Sequence, residues 1–427
     1  MGFTAMGFFF ILFPEDESTI ITKNKQKTNL SSLKSIKHSN STHLFPKAQF
    51  IISICVLLIF ITFLLFTIST CEPSPRTQLS KSKFPPFQQH ALQGMGTLYR
   101  KGTRSMSDLI VAHVIESVTL QELKLFTKLI YRSKISSKSD ILFIFPIKSI
   151  PFENTIVEEN TSFLKLIHGY KDNSSNIDPT HFLISSNKAN RSEEPIWGRK
   201  KQSNFREEDD NKTESTRFSY GSVVGFYADE LDPENSLSGF MDHVSMNLRR
   251  WACYPMLFGR IRRNFKHIML VDVKEMLVLG DSPSRVKNLS HDSVLVFRRK
   301  NFQKNHKKQA NPEIIIGGLR GIRRLSNAML IEIVRESMQH KKKNSVTEST
   351  LFNQLVGNEF IMKNVELISG ESIVELSSLT ELDKKTVSLL ISKFSIIRRG
   401  NSNVDIISVF KKYLCSFPLD STVYSDC

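Results

Sequence analysis

Residues 50–68 read FIISICVLLIFITFLLFTI, 19 residues with no charge and no proline. That is about the length needed to cross a bilayer as a helix. No other stretch constrains the chain as strongly, because a lipid-spanning helix puts the segments on its two sides into different compartments. Lys23, Lys25, Lys27, Lys34, Lys37 and Lys47 precede the run, whereas only Arg76, Lys81 and Lys83 follow it closely. Positive charge stays on the cytosolic side. The expected organisation is a cytosolic tail over 1–49, a transmembrane signal anchor over 50–68, a stalk over 69–104 and a lumenal domain over 105–427. A removable signal peptide is the lesser reading, since nearly fifty residues precede the run.

Beyond the run lie five Asn-x-Ser/Thr sequences, at Asn160, Asn173, Asn190, Asn211 and Asn288. Each is a candidate glycosylation site if it falls on a surface loop. Cys55 and Cys71 belong to the run and its margin, which leaves Cys253, Cys415 and Cys427. Cys415 and Cys427 bracket a short tail; a disulfide in an oxidising lumen and a pair of free thiols both remain open. No CxxC or HExxH occurs, so a structural zinc or zincin site has no support. The net charge of +16 is dispersed rather than interleaved with aromatics in one stripe. Nucleic acid is therefore a poor partner, and nucleotide diphosphates or acidic glycans are better ones.

Residues 72–93 are rich in Ser, Pro, Lys and Gln, as a stalk is. Order begins with LIVAHVI (109–115), a buried-strand pattern; Thr119 and Glu122 form a capping box, and Leu123, Phe126 and Ile130 recur at helical spacing. ILFIF (141–145) then completes strand, helix, strand, which implies a parallel pair with a right-handed crossover. A helix is expected over 159–170, long polar loops over 171–215, and a helix from 242 to 261 interrupted at Pro255. HIMLV (267–271), SVLVF (293–297) and EIIIGG (313–318) read as further strands, and a helix follows from about Ile322. The fold class is α/β, a mainly parallel Rossmann-type sheet flanked by helices. Asp272 stands at the carboxyl end of a strand, where open α/β sheets bind ligands.

The order LRRW, strand, VDVK, LVLGD, then a strand running into GG resembles the GT-A nucleotide-sugar glycosyltransferase layout, in which a strand often ends in Asp-x-Asp. The longer stretches TESTRFSYGSVVGF, DPENSLSGFMDHV, LRRWACYPMLFGRIRRNFKHIMLVDVK, GIRRLSNAML, HKKKNSVTES and CSFPLDSTVY resemble a plant family of single-pass membrane proteins known by a domain of unknown function. That resemblance runs over 105–427. It implies a GT-A-like fold, a Golgi membrane location, a nucleotide-sugar donor and a glycan acceptor.

Two carboxylates in Asp-x-Asp hold Mn2+ or Mg2+, which neutralises the diphosphate leaving group. Here the triplet is Asp272, Val273, Lys274, and the ordinary two-carboxylate site cannot form. Three outcomes stay open. Lys274, helped by Arg249 or Arg250, takes over the cation's task; Glu275 or Asp281 completes a displaced metal site; or catalysis is lost and Asp272 merely caps its strand. Mn2+ and Mg2+ are disfavoured. Gly317 and Gly318 either admit a ligand to the backbone or form a plain turn, and Arg320, Arg323 and Arg324 either face a phosphate or point to solvent. By the resemblance, Glu348 falls in the acceptor site as a base or charge stabiliser; its plain alternative is the first turn of a helix capped by Thr347 or Ser345. His243 and His267 read as structural and Trp251 as core. The expected site thus has Asp272 and Glu348 as catalytic groups, with Lys274, Arg249, Arg250, Gly317 and Gly318 around the donor. The alternative is an inactive scaffold that holds glycans or partner proteins of the Golgi.

Overall fold

The computed structural model describes residues 54, 56–62, 89–172 and 219–427, apart from 93, 104–105, 242–243, 262–264, 283–289, 299–309, 340–345, 359–364, 369–372, 377–381 and 401–404. The chain divides into two units, 1–83 and 84–427. In the first, residues 56–62 are helical and their apolar side chains are exposed. The expected tail over 1–49 and most of the expected span lie outside the described residues. Among those described, no helix is long and apolar enough to cross a membrane.

The second unit begins its strands at β1 (Gln89–Leu92) and β2 (Met95–Arg100), inside the stretch expected as stalk. There follow β3 (Asp108–His113), α1 (Leu120–Arg132), β4 (Ser139–Phe145), α2 (Ile150–Asp172), β5 (Val223–Tyr227), the short α3 (Ala228–Leu231), α4 (Met246–Arg260), β6 (His267–Asp272) and β7 (Met276–Val278). Next come β8 (Val294–Arg298), β9 (Ala310–Gly318), α5 (Leu319–Gln339), α6 (Glu348–Val356), β10 (Val365–Ile368) and β11 (Val374–Glu375). The chain closes with α7 (Lys384–Lys393), β12 (Ile396–Arg398), α8 (Ile406–Leu414) and α9 (Pro418–Val423).

Among the described residues nine strands form one sheet, in the order β1-β2-β5-β4-β3-β6-β9-β8-β10. Its centre, β5-β4-β3-β6, is parallel throughout, while β2 on one side and β9 on the other run antiparallel. All six residues of β3 are buried. Its alternate side chains enter two different cores: Leu109 and Val111 join α4 and α5 on one face, and Ile110 and Ala112 join α1 and α2 on the other. Helices on both faces explain why the strand shows no polar alternation. A second sheet, β11-β12-β7, packs with α7, α8 and the outer face of α1 around Leu277, Ile397 and Phe410.

The expected capping box forms: Thr119 Oγ1 accepts from Glu122 N, and Glu122 returns a bond to Thr119 N. Two expected boundaries shift. The α2 helix starts at Ile150, nine residues before the periodic stretch, because Pro151 suits a first helical turn. The α4 helix runs through Pro255, and the buried packing of Trp251, Tyr254, Leu257 and Phe258 outweighs the lost backbone bond.

Candidate functional site at the carboxyl ends of β3 and β6

In the parallel register His113 lies beside Asp272, so the two strands deliver a histidine and an aspartate to one edge of the sheet. Asp272 is 3% exposed. Its Oδ1 accepts the backbone N–H groups of Lys274 at 2.7 Å and Glu275 at 3.1 Å, an Asx-type turn that leads the chain into β7. Its Oδ2 lies 3.2 Å from His113 Nε2, and His113 Nδ1 lies 3.2 Å from the Tyr254 hydroxyl. Burial, then the Arg250 charge, hold His113 well below the usual imidazole range, so it is neutral in the fold. One tautomer serves both bonds: Nε2–H donates to Asp272 and Tyr254 donates to Nδ1. Burial pushes Asp272 up, against the pull of Arg250 and the two backbone donors.

Helix α4 supplies the rest. Arg250 and Tyr254 are one turn apart and share a face. Arg250 is 1% exposed; its Nη2 donates to Pro312 O at 3.2 Å and to Glu348 Oε1. Trp251 Nε1 donates to the same carboxylate oxygen at 2.7 Å. Glu348 is the first residue of α6, with Thr347 as its N-cap, as the plain reading had it; its carboxylate, however, turns inward onto α4. Burial raises Glu348, opposed by Arg250 and Trp251. Two Arg250 donors, Nε and Nη1, have no partner among the described residues.

The remaining expected residues divide. Lys274 Nζ donates to Ser117 Oγ at 2.8 Å and so ties the turn after β6 to the loop after β3. Arg249 points away, to Asp232 Oδ2 at 3.5 Å and Asp229 Oδ1 at 3.4 Å. Gly317 and Gly318 sit at the opposite end of the sheet, paired with Ile268 and His267, because β9 runs antiparallel to β6. They make room for neighbouring backbone rather than for a ligand near Asp272: a Cβ on Gly317 would stand 2.7 Å from Ser293 O. At that same end Arg323 bonds Phe258 O, Arg324 bonds Asp292 O, Arg320 is exposed, and His267 pairs with Asp108 at 2.8 Å. Asp281 is held by Lys138 at 2.5 Å, away from Asp272.

Of the glycosylation candidates, Asn160 is 4% exposed within α2, and its Oδ1 accepts from the Tyr131 hydroxyl; a side chain so enclosed cannot carry a glycan. Asn173, Asn190, Asn211 and Asn288 lie outside the described residues, as does His243. Cys415 and Cys427 are bridged, and Cys253 is buried and free.

Sequence reasoning passed over His113, Tyr254, Glu313 and Arg398. His113 had a readable signal, the lone polar residue within LIVAHVI, and Tyr254 had its spacing to Arg250. Glu313 and Arg398, 85 positions apart, had none; they meet as Arg398 Nε and Nη2 donate to the two Glu313 oxygens at 2.7 and 2.8 Å.

A family model described as a domain of unknown function, DUF7780, matches residues 89–372. Comparison with curated proteins gives no match. Solved structures similar to this chain include the apo form of the glycosyltransferase GlyE of Streptococcus pneumoniae TIGR4, at 9% identity over 75% of this chain and 62% of that chain, TM-score 0.37. The galactosyltransferase LgtC, in complex with donor and acceptor sugar analogues, is similar at 10% identity over 74% and 95%, TM-score 0.36. The apo form of mouse xyloside xylosyltransferase 1 is similar at 9% identity over 69% and 98%, TM-score 0.37. This chain thus spans 62% of the length of the first of these.

Proposed function

The chain belongs to the DUF7780 family, a domain of unknown function, and we propose that the carboxyl ends of β3 and β6 bind the diphosphate of a nucleotide sugar without a metal ion. In this reading the protein is a single-pass type II membrane protein of the Golgi or another secretory-pathway membrane. Its lumenal α/β domain is glycosyltransferase-like and transfers the sugar to a glycan. The topology rests on the apolar run over 50–68 and the lysines before it. The bridge between Cys415 and Cys427 suits an oxidising lumen.

The observation that carries the site is Arg250. A buried guanidinium with two unpartnered donors asks for an acceptor, and an arginine fork suits phosphate oxygens. Glu348 shares that guanidinium and stands next to whatever it binds, as an acceptor-side carboxylate would. The donor role expected of Lys274 passes to Arg250, since the lysine amine is engaged by Ser117.

The second reading, an inactive scaffold, is favoured by one fact. Asp272 spends its carboxylate on three internal donors and directs nothing outward. Thermal stability of the full chain against a panel of UDP and GDP sugars, with and without manganese, separates the two. A ligand at a hundredfold its Kd adds about 2.7 kcal/mol. The expected result is a shift with one donor without manganese, retained in Lys274→Ala and lost in Arg250→Lys. No shift with any donor on a folded chain leaves the scaffold.

A further inference from the structure

The Asp-x-Asp resemblance implies a divalent cation, and the residues at this place do not fit one. Position 274 is a lysine, and Asp272 is committed to Lys274 N, Glu275 N and His113. Among the described residues no group of three or more His, Cys, Asp or Glu side chains is arranged to hold a metal ion. Carboxylates are nevertheless abundant beside Asp272. Burial first, then Glu313 and Asp272, push Glu275 upward, against the pull of Arg398 and Lys274.

The positive charge among these acids belongs to a side chain. Arg398 ends β12 and is 6% exposed. Its Nε and Nη2 clasp both oxygens of Glu313 at 2.7 and 2.8 Å, its Nη1 donates to Glu375 Oε1 at 3.1 Å, and its Nη2 lies 3.8 Å from Glu275 Oε2. The three acids come from β9, from β11 and from the turn after β6. Backbone pairing fixes the arginine among them, with Arg398 opposite Met276 on β7 and opposite Glu375 on β11, and Arg399 N donating to Glu275 O at 2.8 Å. Oxygen-only surroundings with three carboxylates are what hard divalent cations select. A planar guanidinium satisfies the same oxygens bidentately and stays charged at every working pH.

We propose that Arg398 is a built-in cation, doing among Glu275, Glu313 and Glu375 what a divalent metal ion does between the carboxylates of an Asp-x-Asp site. The protein therefore takes no metal at this edge of the sheet, and removing the arginine turns the acid cluster into a metal site. Only the parallel with an Asp-x-Asp site rests on the nucleotide-sugar reading; the exchange of arginine for metal does not.

The test uses the full chain and Mn2+ alone, with no nucleotide, and follows the electron paramagnetic resonance signal of free Mn2+. The wild type is expected to leave that signal unchanged. Arg398→Ala is expected to take up one ion per chain, and Arg398→Lys none. Adding Glu313→Gln to Arg398→Ala is expected to abolish the uptake, which separates this site from scattered surface acids. Wild-type uptake that Glu313→Gln removes overturns the proposal, and so does a folded Arg398→Ala chain that binds no ion. If Arg398→Ala loses its fold in metal-free buffer, the proposal requires Mn2+ to restore its circular dichroism; a chain unfolded with and without Mn2+ overturns it. Because nucleotide is absent, a failure here is distinct from a failure of the donor screen.

Discussion

The β6–β9 pair has two ends built from different materials. At the carboxyl end of β6, Asp272, Arg250, Glu348 and Glu313 bring ionisable groups inward, with the neutral His113 beside Asp272, each group held by a partner from another element. At the amino end of β6, the facing residues of β9 are Gly317 and Gly318, and what fills the space is the backbone of residues 291–294. The first end is held by directed, charge-assisted bonds whose loss leaves a buried charge behind. The second, beside its His267–Asp108 pair, is held by close backbone contact that an added Cβ would overlap. Function in an open α/β sheet belongs to the first kind of end, where, among the described residues, Arg250 Nε and Nη1 have no partner.

The comparison predicts where substitutions cost most. Glu348→Ala strands the Arg250 guanidinium in the core, and breaking such a pair costs about 3–5 kcal/mol. Urea unfolding reads this directly, and a loss under about 1 kcal/mol would show that the pair does not organise the charged end. Gly318→Ala drives a Cβ into the His291 carbonyl oxygen, with the carbonyl carbon at 2.6 Å, and overpacking of this kind costs about 1–3 kcal/mol. Nothing lies within 4 Å of a Cβ on Gly239, so Gly239→Ala serves as the neutral control. Should Gly318→Ala match that control, the close-contact account of the second end fails.

The smallest effect concerns pH. Burial, then Arg250, hold His113 well below the usual imidazole range in the fold, whereas the unfolded chain takes up a proton at about pH 6.5. The stabilising contribution is present above the unfolded pKa and is lost as pH falls below it, by at most about 1.4 kcal/mol per pH unit. His113→Gln removes this term, so its stability should fall less steeply than that of the wild type below about pH 6.5. Parallel curves would mean that His113 is not the neutral link between Asp272 and Tyr254.

Much of the fold was legible because its signals are local. The strands at LIVAHVI, ILFIF and HIMLV, the capping box at Thr119 and Glu122, and the strand-end position of Asp272 each depend on residues within one turn or one strand. The Asp272 turn was legible for the same reason, since an aspartate after a strand bonds its own following backbone. The site as a whole was not. Strand direction is absent from local pattern, so Gly317 and Gly318 read as neighbours of Asp272 until antiparallel β9 placed them at the far end. A burial pattern likewise does not say which arginine faces inward. Arg249 and Arg250 are adjacent in sequence, yet the 100° turn of a helix per residue sends one to Asp232 and the other to Glu348.

The sequence by itself determined the alternation of strands and helices, the charge balance across the apolar run, and the absence of a two-carboxylate triplet, because each is a property of neighbouring residues. Tertiary structure alone decided that Arg398 meets Glu313 and that His113 meets Asp272, since these contacts join residues 85 and 159 positions apart. A buried charge is tolerated only when a partner is delivered to it. Which partner arrives is fixed by the order and direction in which the strands assemble.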